Sequence, residues 1–157
     1  EPLAVEHETI GPRRFGIGLA TLPADRFVSL RPQNWMAEGV LETRPFTCSG
    51  SELLVNAEIS QQNFPAQARN SRGEIIEVDL GIGLLQAEIL NPDGSPLPGF
   101  TAAESIAERH DNLRYRMVWQ TEGQPKRTLA DVPQQPIAIR FKIKNGDFFA
   151  FQISRGQ

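Results

Sequence analysis

Short segments of the chain alternate between apolar and polar residues with a period of two. The pattern is present at residues 27–30, 53–59 and 137–143. One side of the last segment carries only large apolar residues, namely Ile137, Ile139, Phe141 and Ile143. Such a period is typical of a β-strand with one buried face. The hydrophobic pattern therefore predicts a chain built mainly of strands.

A proline turn lies early in the chain. The tripeptide Pro-Ala-Asp at residues 23–25 separates the apolar runs 19–22 and 26–30, which predicts a β-hairpin. Gly16 and Gly18 precede this turn, and glycines at that spacing also occur in phosphate-binding loops. A phosphate-binding loop needs a third glycine and a helix directly after it, and the proline turn occupies that place. The hairpin is the favoured interpretation.

Two more turns are marked by their composition. Asn-Gly-Asp at residues 145–147 predicts a second hairpin, which joins residues 137–144 to residues 148–153. Asn-Pro-Asp-Gly at residues 91–94 has the composition of a type I turn. Turns at such short intervals favour antiparallel strands.

A single segment has helical character. Thr101 and Glu104 stand three residues apart, as in a capping box, and Ile106 is the one large apolar residue that follows. This spacing predicts one or two helical turns. Residues 60–73 are polar and unpatterned, which predicts a long loop, and residues 74–80 have the pattern of an additional strand.

These patterns together predict an all-β fold, an antiparallel two-sheet β-sandwich with one short helix. The length of 157 residues suits one domain with a substantial core. We expect residues 1–14 to form an N-terminal leader and residues 15–157 to form a single β-sandwich domain.

Composition narrows the possible partners. A net charge of −3 argues against nucleic acid as a partner, since phosphate-binding domains are usually basic. No apolar run approaches the ~20 residues that a membrane-spanning helix needs. Cys48 is the only cysteine, so an internal disulfide is excluded and a buried, small apolar role is expected for it. Single thiols occur both inside cells and in exported proteins, so the compartment stays open, with export to the periplasm or cell exterior as one alternative.

Two tryptophans are candidate ligand-binding residues. Trp35 lies in a polar segment between two strand patterns, and Trp119 ends the strand-like segment 113–119. The other side of that segment carries Arg114 and Arg116. An aromatic ring beside arginines can stack on a sugar ring while the guanidinium groups bind its hydroxyls. A position in the core or as a loop anchor is the alternative for each tryptophan.

Catalytic motifs are weak. His110 adjoins Asp111, but residues adjacent in sequence rarely face each other, and a solvated histidine is the favoured interpretation. Two distant histidines and one cysteine lack the spacing of a zinc site, and no cofactor is expected. Paired carboxylates are the remaining enzymatic route. The acids in or beside predicted strands are Glu42, Glu52, Glu58, Glu74, Glu77, Asp79 and Glu88.

An ordered series of segments resembles a known module. The segments lie at residues 19–30, 39–46, 52–57, 87–100, 113–119 and 137–151. Together they resemble the β-sandwich found at the C-terminus of many bacterial glycoside-hydrolase-like proteins. These proteins usually carry a five-bladed propeller of the family-32/43 or sialidase type. The resemblance runs over residues 15–153, and the chain departs from it by being longer between residues 59 and 84.

The resemblance implies a concanavalin-like or jelly-roll sandwich with an accessory role. In such proteins the propeller carries the catalytic carboxylates, and the sandwich packs against it or contributes to carbohydrate binding. This chain has neither a propeller nor the Asn-Asp-Pro-Asn-Gly segment of the fructosidases, so no catalytic residue is carried over. Arg44 matches the pattern of the module and is a candidate for ligand binding or for pairing with a buried acid.

The leading hypothesis is therefore a non-catalytic accessory domain. Its expected partners are a carbohydrate and a neighbouring catalytic domain. The candidate ligand-binding residues are Trp35, Arg44, Arg116 and Trp119. The alternatives are a structural module that contacts a partner or itself through an exposed sheet face and, as a third hypothesis, a stand-alone glycoside hydrolase that uses strand carboxylates.

Overall fold

The segments with period-two alternation form strands. The computed structural model of the chain describes residues 19–33, 37–60, 65–69, 71–79 and 82–156. Its strands are β1 (Gly39–Glu42), β2 (Phe46–Thr47), β3 (Glu52–Ile59), β4 (Pro65–Arg69), β5 (Ile75–Asp79), β6 (Leu84–Leu90), β7 (Asp111–Met117), β8 (Pro136–Lys144) and β9 (Gly146–Ser154). A 3-10 helix, η1, spans Leu129–Asp131 between β7 and β8.

Strand β8 is the centre of the first sheet, sheet I. Strand β6 pairs with β8 along one edge, antiparallel, and places Ile89 opposite Ile139. Along the other edge β1 and β2 pair with successive parts of β8, also antiparallel. Both edges of β8 are therefore occupied over most of its length.

Strand β3 is the centre of the second sheet, sheet II, between β7 and β9. Both pairings are antiparallel, and the register of each shifts by one residue beside Asn56. Such bulges increase the local twist of a sheet and redirect side chains. Sheet II is therefore most distorted around Asn56.

The core lies between the inner faces of the two sheets. Leu53 and Val55 of β3 are fully buried there, as are Ile137 and Ile139 of β8. These are side chains that the alternation assigns to the buried face, and their burial is the main favourable term for folding. The predicted all-β fold with two antiparallel sheets is confirmed.

The turn at residues 145–147 was predicted to close a hairpin, and that pairing is wrong. The turn exists, with Asn145 in the left-handed region at a φ of 46°, but it carries the chain from sheet I to sheet II. β9 has no free edge to pair with on β8, so it pairs with β3 instead. The junction is tight, because a Cβ on Gly146 would lie 2.8 Å from the carbonyl oxygen of Glu58. We call this junction the arch.

The predicted hairpin of residues 19–22 and 26–30 is also wrong. The proline turn forms, with the N–H of Arg26 donating to the carbonyl of Pro23 at 3.3 Å, but no strand flanks it. Leu30 alone pairs with a sheet, through Phe148 of β9. Phe27 remains 81 % exposed because no described element packs over it. We call residues 19–32 the strap.

The helix predicted after Thr101 is a turn. The Glu104 carboxylate does accept from the Thr101 N–H, at 3.1 Å, and this hydrogen bond lowers the pKa of Glu104. Ser105 then pairs with Trp119 in extended conformation, which ends the turn before a helix can extend. The one helical element of the described residues is η1, and no described helix is long and apolar enough to cross a membrane.

The region between β3 and β6 contains a hairpin. Residues 74–80 were predicted as a strand, and β5 confirms this prediction. The loop predicted at residues 60–73 contains β4, which pairs with β5. The ends of the region meet, since the N–H of Gly83 donates to the carbonyl of Ser60 at 2.8 Å.

This closure generates a prediction. Replacement of residues 61–82 by a Gly-Gly linker should change the free energy of unfolding by no more than about 1 kcal/mol, because the hairpin pairs with itself and its ends already meet. Urea denaturation measures the difference. Ile89→Ala, a fully buried side chain in β6, is the comparison and should cost about 2–5 kcal/mol. A shortened chain that loses as much as Ile89→Ala would show that the hairpin is integral to the sandwich.

Candidate functional site

Trp119, a predicted ligand-binding residue, lies in the core. Its side chain is fully buried, and its indole N–H donates to the carbonyl of Ala87 at 2.8 Å. Phe100 packs edge-on against the ring, with the centroids 5.4 Å apart. Both the ring faces and the one donor are thus used inside the fold, so Trp119 joins the two sheets and is not available to a ligand.

Arg44 is not part of the site that we describe below. Arg44 is exposed between β1 and β2, and its guanidinium has no hydrogen-bond or ion-pair partner among the described residues. The buried acid of sheet I, Glu88, pairs instead with Arg140, at 2.9 Å. Trp35 lies outside the described residues.

The carboxylates of sheet I meet on one arginine. Glu42 and Glu88 bind Arg140 from the two neighbouring strands, at 2.8 and 2.9 Å, and these hydrogen bonds raise the pKa of Arg140. Lys142 lies 3.7 Å from Glu88 as well. Arg140 thus joins the acids of two neighbouring strands in one ion network on sheet I.

His110 pairs with a different acid from the one adjacent to it. Its Nδ1 lies 3.1 Å from Glu108, while Asp111 binds Arg26 of the strap. Glu108 is buried and also accepts from the backbone N–H groups of Arg109 and His110. The Glu108 carboxylate thus satisfies the backbone N–H groups of the loop that follows it and orients the exposed imidazole of His110.

Arg116, the fourth predicted residue, lies on the solvent face of sheet II. It forms an ion pair with Glu52 of the central strand, and its side chain is 58 % exposed. A depression of about 420 Å³ lies beside this pair, and its lining residues are Glu52, Leu54, Arg114, Arg116 and Ser154. Arg116 is thus placed where a ligand can reach it.

A second depression continues from the first along β3. It measures about 180 Å³, and its lining residues are Ala24, Asp25, Leu54, Asn56, Leu113, Arg114, Ala150, Phe151 and Gln152. Leu54 and Arg114 line both depressions. We call the combined surface the outer groove.

The outer groove holds two charged groups without partners in the described part of the chain. These are the guanidinium of Arg114 and the carboxylate of Asp25, which has a left-handed backbone at the turn of the strap. A charged side chain that is already paired must give up its partner before it can bind a ligand. Arg114 and Asp25 have no such partner to lose among the described residues. Sequence reasoning placed Arg114 on the face opposite Trp119, and it missed Asp25 because the strap folds onto sheet II from far away in sequence.

One buried arginine fixes the strap at the end of the groove. The Arg26 side chain is 8 % exposed, and its Nε donates to Asn56 at 2.9 Å. It also binds Asp111, and its guanidinium carbon lies 4.6 Å from the ring centroid of Phe149. Asn56 in turn donates to the carbonyl of Ala24 at 2.9 Å. The bulges beside Asn56 thus create a polar socket that positions Asp25.

Comparisons of the chain with protein-family models, with curated proteins and with solved structures found no match.

We expect Arg26→Met to loosen the strap. The change keeps the apolar stem but removes the hydrogen bonds to Asn56 and Asp111, which should lower the free energy of unfolding by about 1–3 kcal/mol. Chemical denaturation measures this loss, and limited proteolysis within residues 19–30 should become faster.

Arg31→Met is the matched control for the strap. Arg31 binds Asp147 at 2.8 Å but is 51 % exposed, so its removal should cost less than about 1 kcal/mol. Equal losses for the two variants, or unchanged proteolysis in Arg26→Met, would show that the buried arginine does not hold the strap.

Proposed function

We propose that the chain is a non-catalytic accessory β-sandwich domain that binds carbohydrate through the outer groove. The observation that carries the proposal is a pair of side chains, Asp25 and Arg114, that have no partner among the described residues and line one depression of about 180 Å³. A sugar hydroxyl both donates and accepts a hydrogen bond, so a carboxylate and a guanidinium in one cleft satisfy it in both directions. Leu54, in the same lining, offers an apolar surface to the C–H face of a sugar ring.

The recognition mode differs from the stacking platform that the tryptophans predicted. Trp119 is used in the core, and the described lining of the groove has one aromatic side chain, Phe151, among hydrogen-bonding and aliphatic groups. Binding of this kind depends on well-placed polar groups on a rigid scaffold. The sheet beneath the groove supplies that rigidity, because β3 is paired along both edges.

The test is a glycan array followed by calorimetry on any glycan that binds. Arg114→Gln should weaken binding about tenfold or more, the effect of losing a charge-assisted hydrogen bond. Arg44→Gln is the control, since it removes the same charge from an exposed arginine of sheet I and should leave the affinity unchanged. Absence of binding to every glycan, or equal losses in the two variants, would contradict the proposal.

A second candidate function is self-association through the strap, as a structural interaction module. Phe27 and Val28 are 81 % and 75 % exposed, and an apolar groove of about 290 Å³ lies between the strap and β1. Leu30 and Val40 line that groove. Exposed apolar surface of this kind marks interfaces in soluble proteins. A second copy of the chain is the partner that we propose, because paired copies would cover each other's strap.

Analytical ultracentrifugation tests this second function. The native chain should form dimers at micromolar concentration, and Phe27→Ser combined with Val28→Ser should be monomeric, since the apolar area that drives association is removed. Arg44→Gln should dimerise like the native chain. A native chain that is monomeric up to the highest soluble concentration would rule the module out.

A further inference from the structure

The outer groove is longer than one sugar ring. Its two depressions share Leu54 and Arg114, and they extend along β3 from Asn56 to Glu52. Four residues of a strand span about 13 Å. A groove of this length accepts more than one linked ring, so a chain lying parallel to β3 fits it better than a free monosaccharide.

The two depressions differ in charge. The larger one has two guanidinium groups, of Arg114 and Arg116, against the single carboxylate of Glu52. The smaller one has one guanidinium, that of Arg114, against the carboxylate of Asp25, and Arg116 does not line it. The protein as a whole is acidic, with a net charge of −3, so this local excess of positive charge is not a general property of its surface.

The excess positive charge of the larger depression matches a carboxylate ligand. Arg114 lines both depressions, and its guanidinium has no partner in the described ranges. A guanidinium presents a planar fork of N–H donors that matches a carboxylate in two parallel hydrogen bonds. A second carboxylate placed beside Asp25 would be repelled, which favours an uncharged ring there.

We propose that the outer groove binds a linear glycan in which a uronate residue lies at Arg114 and an uncharged residue lies at Asp25. This inference rests on the proposed function and adds the class of its ligand. Acidic polysaccharides in which uronate and uncharged units alternate have this arrangement of charges. Polymers made of uronate alone fit less well because of Asp25.

Three probes of equal length test the ligand class by calorimetry. They are a tetrasaccharide of alternating glucuronate and N-acetylglucosamine, the same tetrasaccharide with its carboxyl groups reduced to alcohols, and a tetrasaccharide of galacturonate alone. The native chain should bind the first about tenfold more tightly than the second. In Arg114→Gln that preference should fall to less than about threefold, since the group that reads the carboxylate is gone. Arg44→Gln should keep the native preference.

Asp25→Asn supplies an independent measurement. The substitution removes the repulsion in the smaller depression, so the affinity for the all-galacturonate probe should rise at least about threefold while that for the alternating probe changes less. High salt should weaken binding of the alternating probe and not of its reduced form, since only the former carries charge.

The outcomes separate this inference from the proposed function. Equal binding of the alternating probe and its reduced form would overturn the uronate assignment and leave a neutral-carbohydrate function in place. A preference that survives in Arg114→Gln would place the uronate elsewhere and also overturn it. Absence of binding to all three probes and to the neutral glycans of the array would overturn both.

Discussion

The structure depends on one constraint, which is that β8 has neighbours on both edges. β6 occupies one edge and β1 with β2 the other, so the chain that leaves β8 must enter a different sheet. Asn145 makes this possible in a single residue, because asparagine tolerates the left-handed conformation better than most side chains do. The arch brings Phe148 against Phe141 with ring centroids 4.8 Å apart, so the connection between the sheets is also part of the core.

The solvent face of sheet II follows from the same arrangement. β9 enters the sheet beside β3 and accumulates one extra residue next to Asn56, as does β7 on the other side. The distorted position is where Arg26 enters and where the strap is fixed. The bulges beside Asn56 thus form one end of the outer groove, and the regularly paired part of β3 forms its floor.

The sequence predicts the strands well and their neighbours poorly. Alternation is local, so the buried sides of β3 and β8 follow directly from it. Pairing is not local: a strong turn signal at residues 145–147 does not reveal that β8 is already paired. In residues 113–119 the alternation separates Trp119 from Arg116 but does not say which side is the core. That choice decides which of the two side chains can face a ligand. The strap has a strand-like pattern but forms no strand in the described part of the chain, which only the three-dimensional arrangement shows.

The meeting of Ser60 and Gly83 has a consequence for how the molecule can vary. The chain leaves the sandwich at Ser60 and re-enters it at Gly83, and one hydrogen bond joins the two residues. The β4–β5 hairpin between them is therefore a side branch of the sandwich. Lineages could lengthen, shorten or exchange such a branch while the groove and the arch stay as they are. A reporter peptide can therefore be inserted between Ser60 and Gly83, neither of which lines the outer groove.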